Sequence, residues 1–164
     1  MKKVAYEHTI PAPRNQVIDA YRTSAFYEEK QKSAGAISVE ILEWEELANG
    51  DVKWRARITE PSRQPAFIRK SDVDTFEDNS VLSPEAGTLS WKITPSTAAD
   101  KFKLQGLVAF HDEGESTRVV YNIEIEVKIP FVGSKVEKFA LDKSEKETAK
   151  QAAFLRDWLA RDSS

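Results

Sequence analysis

The sequence predicts an α+β fold: an antiparallel sheet of about seven strands, two short helices after the first strand, and one long carboxy-terminal helix. Three observations carry this expectation. Apolar and polar residues alternate with a period of two through most of the chain, the pattern of strands that bury one face. Behind Pro11 that alternation gives way to a helical spacing of Val17, Ile18 and Tyr21. From Ser134 onward the period becomes that of an amphipathic helix.

The elements follow in order. Val4, Tyr6, His8 and Ile10 share one face of a first strand that ends at Pro11. Pro13 suits the first turn of a helix, and a second short helix follows Ser24 through Phe26 and Tyr27. Ile37, Val39 and Ile41 alternate until a phase change at Leu42 and Trp44 that marks a bulge. Asn49-Gly50 predicts a type I′ hairpin turn, and Val52, Trp54, Ala56 and Ile58 form the return strand up to the break at Pro61 to Pro65. Phe67 to Phe76 is expected to be a strand of undefined facing. Leu89, Trp91 and Ile93 mark the next strand, and Phe102, Leu104, Val108 and Phe110 the one after it. Asp112-Glu-Gly-Glu115 then turns the chain into a last strand with Val119, Tyr121, Ile123, Ile125, Val127 and Ile129 on one face and Asn122, Glu124, Glu126 and Lys128 on the other.

Pro130 cannot donate to a sheet ladder and Gly133 permits a sharp turn, so together they mark the exit from the sheet. Ser134-Lys-Val-Glu137 is a capping-box pattern in which Glu137 satisfies a backbone amide. A helix from there to Ala160 would be roughly 40 Å long. Val136, Ala140, Leu141, Thr148, Ala152, Phe154, Leu155, Trp158 and Leu159 form its apolar face. Ser144 could cap a second segment, but one helix is the preferred reading, with a frayed polar tail over Arg161 to Ser164.

At 164 residues the chain is expected to form one domain, 1–164, large enough to surround a modest cavity. It has no cysteine, which removes disulfides and thiolate metal sites and fits a reducing compartment; cytoplasm is the expected location. A net charge of -3 argues against nucleic acid as a partner. There is no apolar run of transmembrane or signal-peptide length. No metal and no cofactor is expected: phosphate-binding, Gly-x-Ser-x-Gly and His-Glu-x-x-His signatures are absent.

The element order resembles the helix-grip superfamily, which includes START lipid-transfer domains, the major birch pollen allergen, polyketide cyclases and the activator of the heat-shock chaperone. Trp91-Lys-Ile-Thr-Pro95, Ile129-Pro-Phe-Val-Gly-Ser-Lys-Val-Glu137 and Trp158-Leu159 resemble, more narrowly, a bacterial family known mainly as a domain of unknown function. The resemblance implies a curved sheet wrapping the last helix, with an apolar cavity between them.

The candidates for lining such a cavity are Tyr6, His8, Trp54, Trp91, Phe110, Tyr121, Glu147 and Gln151. Aromatic rings offer apolar surface, and tyrosine and indole add one directed hydrogen bond. The competing reading makes these aromatics core. His8 has no partner identifiable in sequence, so a structural role competes with that of an acid, base or polar anchor. Glu147 and Gln151 fall near the apolar face of the last helix, yet a small rotation would put both in water. His111, beside Asp112 and Glu113, is expected to be exposed, as are Arg55 and Arg57.

The leading functional expectation is binding of an apolar small molecule such as a fatty acid, sterol-like molecule or polyketide. A cyclase or dehydratase using Tyr6, His8, Tyr121 or Glu147 is the first alternative. The second is a protein-interaction module resembling the chaperone activator, with a protein partner that the sequence leaves unknown.

Overall fold

The structure, a computed structural model, describes residues 1–162. Strand β1 (Lys2–Ile10) leads into helices α1 (Arg14–Tyr21) and α2 (Ser24–Ser33). Strands β2 (Ser38–Glu46), β3 (Val52–Pro61), β4 (Val73–Ser83), β5 (Thr88–Pro95), β6 (Phe102–Asp112) and β7 (Thr117–Val127) follow, and helix α3 (Gly133–Asp162) closes the chain. The seven strands form one antiparallel sheet in the order β1-β7-β6-β5-β4-β3-β2. Six consecutive strands thus make a meander, and β1 adds beside β7. Since β1 and β2 occupy opposite edges, α1 and α2 carry the chain from one edge of the sheet to the other.

The register places complete rows of side chains across the inner face. One row runs Val4, Ile123, Gly106, Trp91, Ser80, Trp54 and Trp44. At Gly106 any side chain would collide with the ring of Trp91 and the carbonyl of Asn122, so glycine is what lets the indole lie flat over the middle of the sheet. Near the β2 edge the register shifts between Ile41 and Glu43, which is the bulge expected at Leu42. It puts Trp44 on the inner face, stacked on Trp54 at 4.4 Å.

Helix α3 is continuous over 30 residues, about 45 Å at the standard rise. Val136, Thr148, Ala152 and Leu155 are buried along it, and Phe154 and Trp158 pack against Phe26 of α2. The Arg156 guanidinium donates to the Thr9 carbonyl at 2.9 and 3.2 Å, which fixes α3 to β1.

Several expectations need correction. The β2–β3 hairpin forms, but only Gly50 has positive φ, at 91°, so the turn is not type I′; Asn49 instead accepts the Asp51 amide through its side chain. The segment up to Asp72 is a loop, and β4 starts at Val73 and runs on to Ser83. Ile37 precedes β2 and is exposed. Glu137 does not close a capping box. The helix starts one residue before Ser134, and Glu137, buried, accepts the amide of Val127 at 2.8 Å, satisfying the end of β7 as the strand leaves the ladder. Ser144 lies inside the helix with its hydroxyl 2.6 Å from the Leu141 carbonyl. Arg161 is helical, 3.6 Å from Glu29, whereas the frayed end expected at Ser163 and Ser164 lies outside the described residues.

Gly106→Ala should cost about 2 kcal/mol of stability, because a backbone carbonyl and a packed indole must both move. Urea unfolding monitored by tryptophan fluorescence measures this; a loss within a few tenths would show that the sheet centre yields freely.

Candidate functional site

The interior beneath α1 and α2 carries a belt of polar side chains that the sequence pattern alone does not bring together. Alternation on β4 turns Phe76, Asp78, Ser80 and Leu82 inward, so a carboxylate and a hydroxyl sit in the apolar face. Both are buried. Tyr27, on the inward side of α2, donates its hydroxyl to Asp78 Oδ2 at 2.7 Å, and Ser80 donates to Oδ1 at 2.8 Å. Burial raises the Asp78 carboxyl above its ordinary 3.8, although the two hydroxyls and the Lys30 charge act in the other direction.

Lys30 lies one turn further along α2. Its ammonium sits 5.5 Å from the Tyr21 ring centroid and 5.8 Å from that of Tyr27. Desolvation lowers its pKa, partly offset by attraction to Asp78. Burial likewise raises Tyr27 and Tyr21 well above 10.0. The Tyr21 hydroxyl faces that of Tyr121, whose own pKa burial pushes up to about 12. The two hydroxyls approach each other without the geometry of a formed hydrogen bond from Tyr121. The polar groups therefore run from Tyr121 through Tyr21, Lys30 and Tyr27 to Asp78 and Ser80.

Among the described residues, two buried donors on this interior face, Trp54 Nε1 and the Tyr121 hydroxyl, have no hydrogen-bond partner of formed geometry, the Tyr121 hydroxyl being faced only by that of Tyr21. Trp54 is held by the stack on Trp44 and by the Tyr27 ring at 5.7 Å. Tyr121 meets His8 edge-on at 6.0 Å. Unpaired donors at such depth cost free energy unless a water or a guest accepts from them.

Of the other residues singled out from sequence, Phe110 is buried against Tyr21 at 5.1 Å, and Trp91 is half-buried over Gly106. Tyr6 is half-buried and tied to α3: its hydroxyl donates to the Leu141 carbonyl at 3.3 Å and lies 3.0 Å from Ser144 Oγ. Glu147 belongs to a separate cluster. Arg63, in the loop after β3, approaches Glu147 at 2.8 Å and Glu60 at 3.1 Å, and donates to the Ala34 carbonyl at 2.8 Å. One guanidinium thereby joins α2, β3 and α3 at one end of the interior. Desolvation raises Glu60, against the pull of Arg63. Gln151, one turn beyond Glu147, is half-buried, while His111 is exposed.

Sequence reasoning missed Tyr21, Tyr27 and Lys30 as polar groups of the interior, and it missed Asp78, Ser80 and Arg63 altogether. The available signal was Asp78 and Ser80 at two-residue spacing between Phe76 and Leu82. The same polar pair interrupts the apolar alternation by which β4 would have been recognised.

A seven-stranded antiparallel sheet closed by a long carboxy-terminal helix, with two short helices after β1, is the helix-grip fold. Solved structures share it over nearly the whole chain. TTHA0849 from Thermus thermophilus is 20% identical with a TM-score of 0.71, covering 99% of this chain and 100% of that one. The Zhui aromatase/cyclase from Streptomyces sp. R1128 is 13% identical with a TM-score of 0.73, covering 99% and 96%. Norcoclaurine synthase from Thalictrum flavum, in complex with dopamine and hydroxybenzaldehyde, is 15% identical with a TM-score of 0.69, covering 98% and 87%. Likeness at these identities shows the fold alone. No curated protein matches the sequence. The chain belongs to the family described as Protein of unknown function (DUF2505), whose model matches residues 5–159.

Because Asp78 holds its proton more tightly folded than unfolded, its stabilising contribution is complete below 3.8 and is lost as pH rises through the raised folded value. Asp78→Asn lacks that loss. The thermal midpoint of Asp78→Asn minus that of wild type should therefore rise from about pH 4 to about pH 7; a flat difference would show that the carboxyl titrates normally.

Proposed function

We propose that this protein binds a lipophilic small molecule bearing a hydrogen-bond acceptor, held between the inner sheet face and α3. The observation that carries the reading is a pair of buried donors without a well-formed partner among the described residues: Trp54 Nε1, and the Tyr121 hydroxyl, which only the Tyr21 hydroxyl faces. A carbonyl, ether or hydroxyl oxygen of a guest would satisfy either one, while the surrounding aromatic surface supplies affinity at around 25 cal/mol per Å² of apolar area removed from water. Trp91, Phe110 and His8 contribute apolar or edge contacts in this reading. Glu147 and Gln151 belong to α3 and Tyr6 is tied to it; Tyr6 and Glu147 already have protein partners. The helix-grip likeness to a structure holding dopamine and hydroxybenzaldehyde supports a small-molecule guest. The absence of cysteine supports a cytoplasmic setting, and the net charge of -3 supports a partner other than nucleic acid.

A catalytic reading has one specific observation in its favour. Buried Tyr27 and Asp78, with half-buried Lys30, form an acid–base cluster with perturbed titration, the environment in which proton transfer to an enolate or phenol becomes feasible. The likeness to an aromatase/cyclase fold agrees with it. The His8 and Tyr121 pair borders the same interior.

Native mass spectrometry of protein purified without detergent, with organic extraction of the released molecule, tests the binding reading directly. A discrete apolar mass at one per chain is expected; a clean apo mass and no uptake from a panel of fatty acids, sterols and aromatic polyketides would sink it. Tyr121→Phe should weaken ligands carrying a ketone or hydroxyl by about tenfold, as expected for one buried hydrogen bond, and leave matched hydrocarbons unchanged. Turnover of a bound aromatic ketone that disappears in Asp78→Asn would move the assignment to catalysis.

A further inference from the structure

The corner where β7 passes into α3 differs from the rest of the surface. Phe131 is fully exposed and has φ 69°, a left-handed conformation that side-chain-bearing residues rarely adopt. Its neighbours fix it there. The amide of Gly133 bonds back to the Ile129 carbonyl at 2.9 Å, and a side chain at Gly133 would strike the Val127 carbonyl. The tight turn thus holds the ring away from the protein, with no packing contribution to the fold.

Phe67, the other exposed phenylalanine among the described residues, reaches the first turn of α3 that follows this corner. The Lys135 ammonium, in the first turn of α3, sits 5.7 Å from its ring, and the next residue of its loop, Ile68, packs on the core cluster of Ile125, Val127 and Val136. On the segments that carry the two rings, and at Asp100 and Lys101, where the Lys101 carbonyl accepts the Lys128 amide at 2.7 Å, the exposed charges are mostly basic: Arg69, Lys70, Lys101, Lys128 and Lys135, against Asp72 and Asp100. A neighbouring hollow of about 220 Å³ has Lys92, Lys101, Lys103 and Lys128 in its wall, with Asp100 and Glu126. The chain as a whole carries -3, so this concentration of positive charge is local.

We propose that this corner docks on an anionic phospholipid bilayer, with Phe131 and Phe67 entering the interfacial region and the lysines meeting lipid phosphates. Exposed aromatics ringed by lysine are the chemistry that binds such a surface, where one part gains from burial and the other from the negative potential. Docking is peripheral: among the described residues no helix is long and apolar enough to cross a membrane. The surface is separate from the Trp54 and Tyr121 interior and does not depend on what occupies it.

Flotation with vesicles of phosphatidylcholine and phosphatidylglycerol in equal parts, and of phosphatidylcholine alone, tests the proposal. Wild-type protein should bind the mixed vesicles at low salt, bind phosphatidylcholine alone far more weakly, and be released as salt rises. Phe131→Gly removes strain and no packing contact, so it should keep the wild-type thermal midpoint and bind the mixed vesicles about tenfold or more weakly. Lys128→Glu combined with Lys135→Glu is an independent variant that should abolish the difference between the two vesicle types. No binding by wild type, undiminished binding by Phe131→Gly, or equal binding to uncharged vesicles would overturn the proposal. Uptake of an apolar probe from ethanol by Phe131→Gly, measured alongside, reports the interior separately.

Discussion

The constraint on which everything else depends is coverage of a one-sided sheet. Seven strands have six spacings of about 4.8 Å, so a flat sheet would be about 29 Å across, whereas a helix is about 10–12 Å wide. One helix cannot cover that face unless the sheet curls towards it. Gly106, with an indole laid over it, removes bulk at the centre, and the bulge at Leu42 bends the β2 edge. What α3 leaves uncovered is filled by α1 and α2 as they cross from one edge to the other.

That division of labour decides where the chemistry sits. The part of the interior under the start of α3 is mostly aliphatic, with Phe102 as its one aromatic member and Tyr6 linking strand to helix. The part under α2 is aromatic and polar, because a short helix brings Tyr27 and Lys30 over the middle of β4. A buried carboxylate is tolerated there only because both of its oxygens accept hydroxyl hydrogens. Asp78 in turn fixes Tyr27, and Tyr27 braces Trp54, so one carboxylate orders the polar half of the interior. Arg63 holds the end of this region by joining three elements through one side chain.

Two surface hollows lie outside that interior. The larger one, about 410 Å³, is lined by Asn79, Ser90, Lys92, Gln105, Asn122 and Glu124, residues of the outward, polar face, together with Trp91, Gly106 and Leu107. Glycine at the sheet centre thins both sides at once. Amide and charged side chains there pair mainly with one another and with the backbone, as Gln105 does with Glu124 and Asn122 with the Leu107 carbonyl. The orphan donors lie on the opposite side of the sheet, which is why the functional reading follows them and not the larger volume.

The sequence by itself determined the fold class, the strand count, the bulge at Leu42, the turn at Pro130 to Gly133 and the single long helix, although the strand before that turn ends at Val127 and not at Ile129. Each is written in local periodicity or in the backbone limits of proline and glycine. It also placed Trp54, Phe110 and Tyr121 on inward faces, since alternation fixes side. Only the tertiary structure decided which inward residues meet. Tyr27 and Asp78 are 51 residues apart in sequence and lie on a helix and a strand, and no periodicity relates the phase of one to that of the other. Glu137 illustrates the same limit. Its spacing from Ser134 suggests a local cap, yet the strand amide of Val127, freed by leaving the ladder, is what it satisfies, and that demand exists only once the sheet has formed.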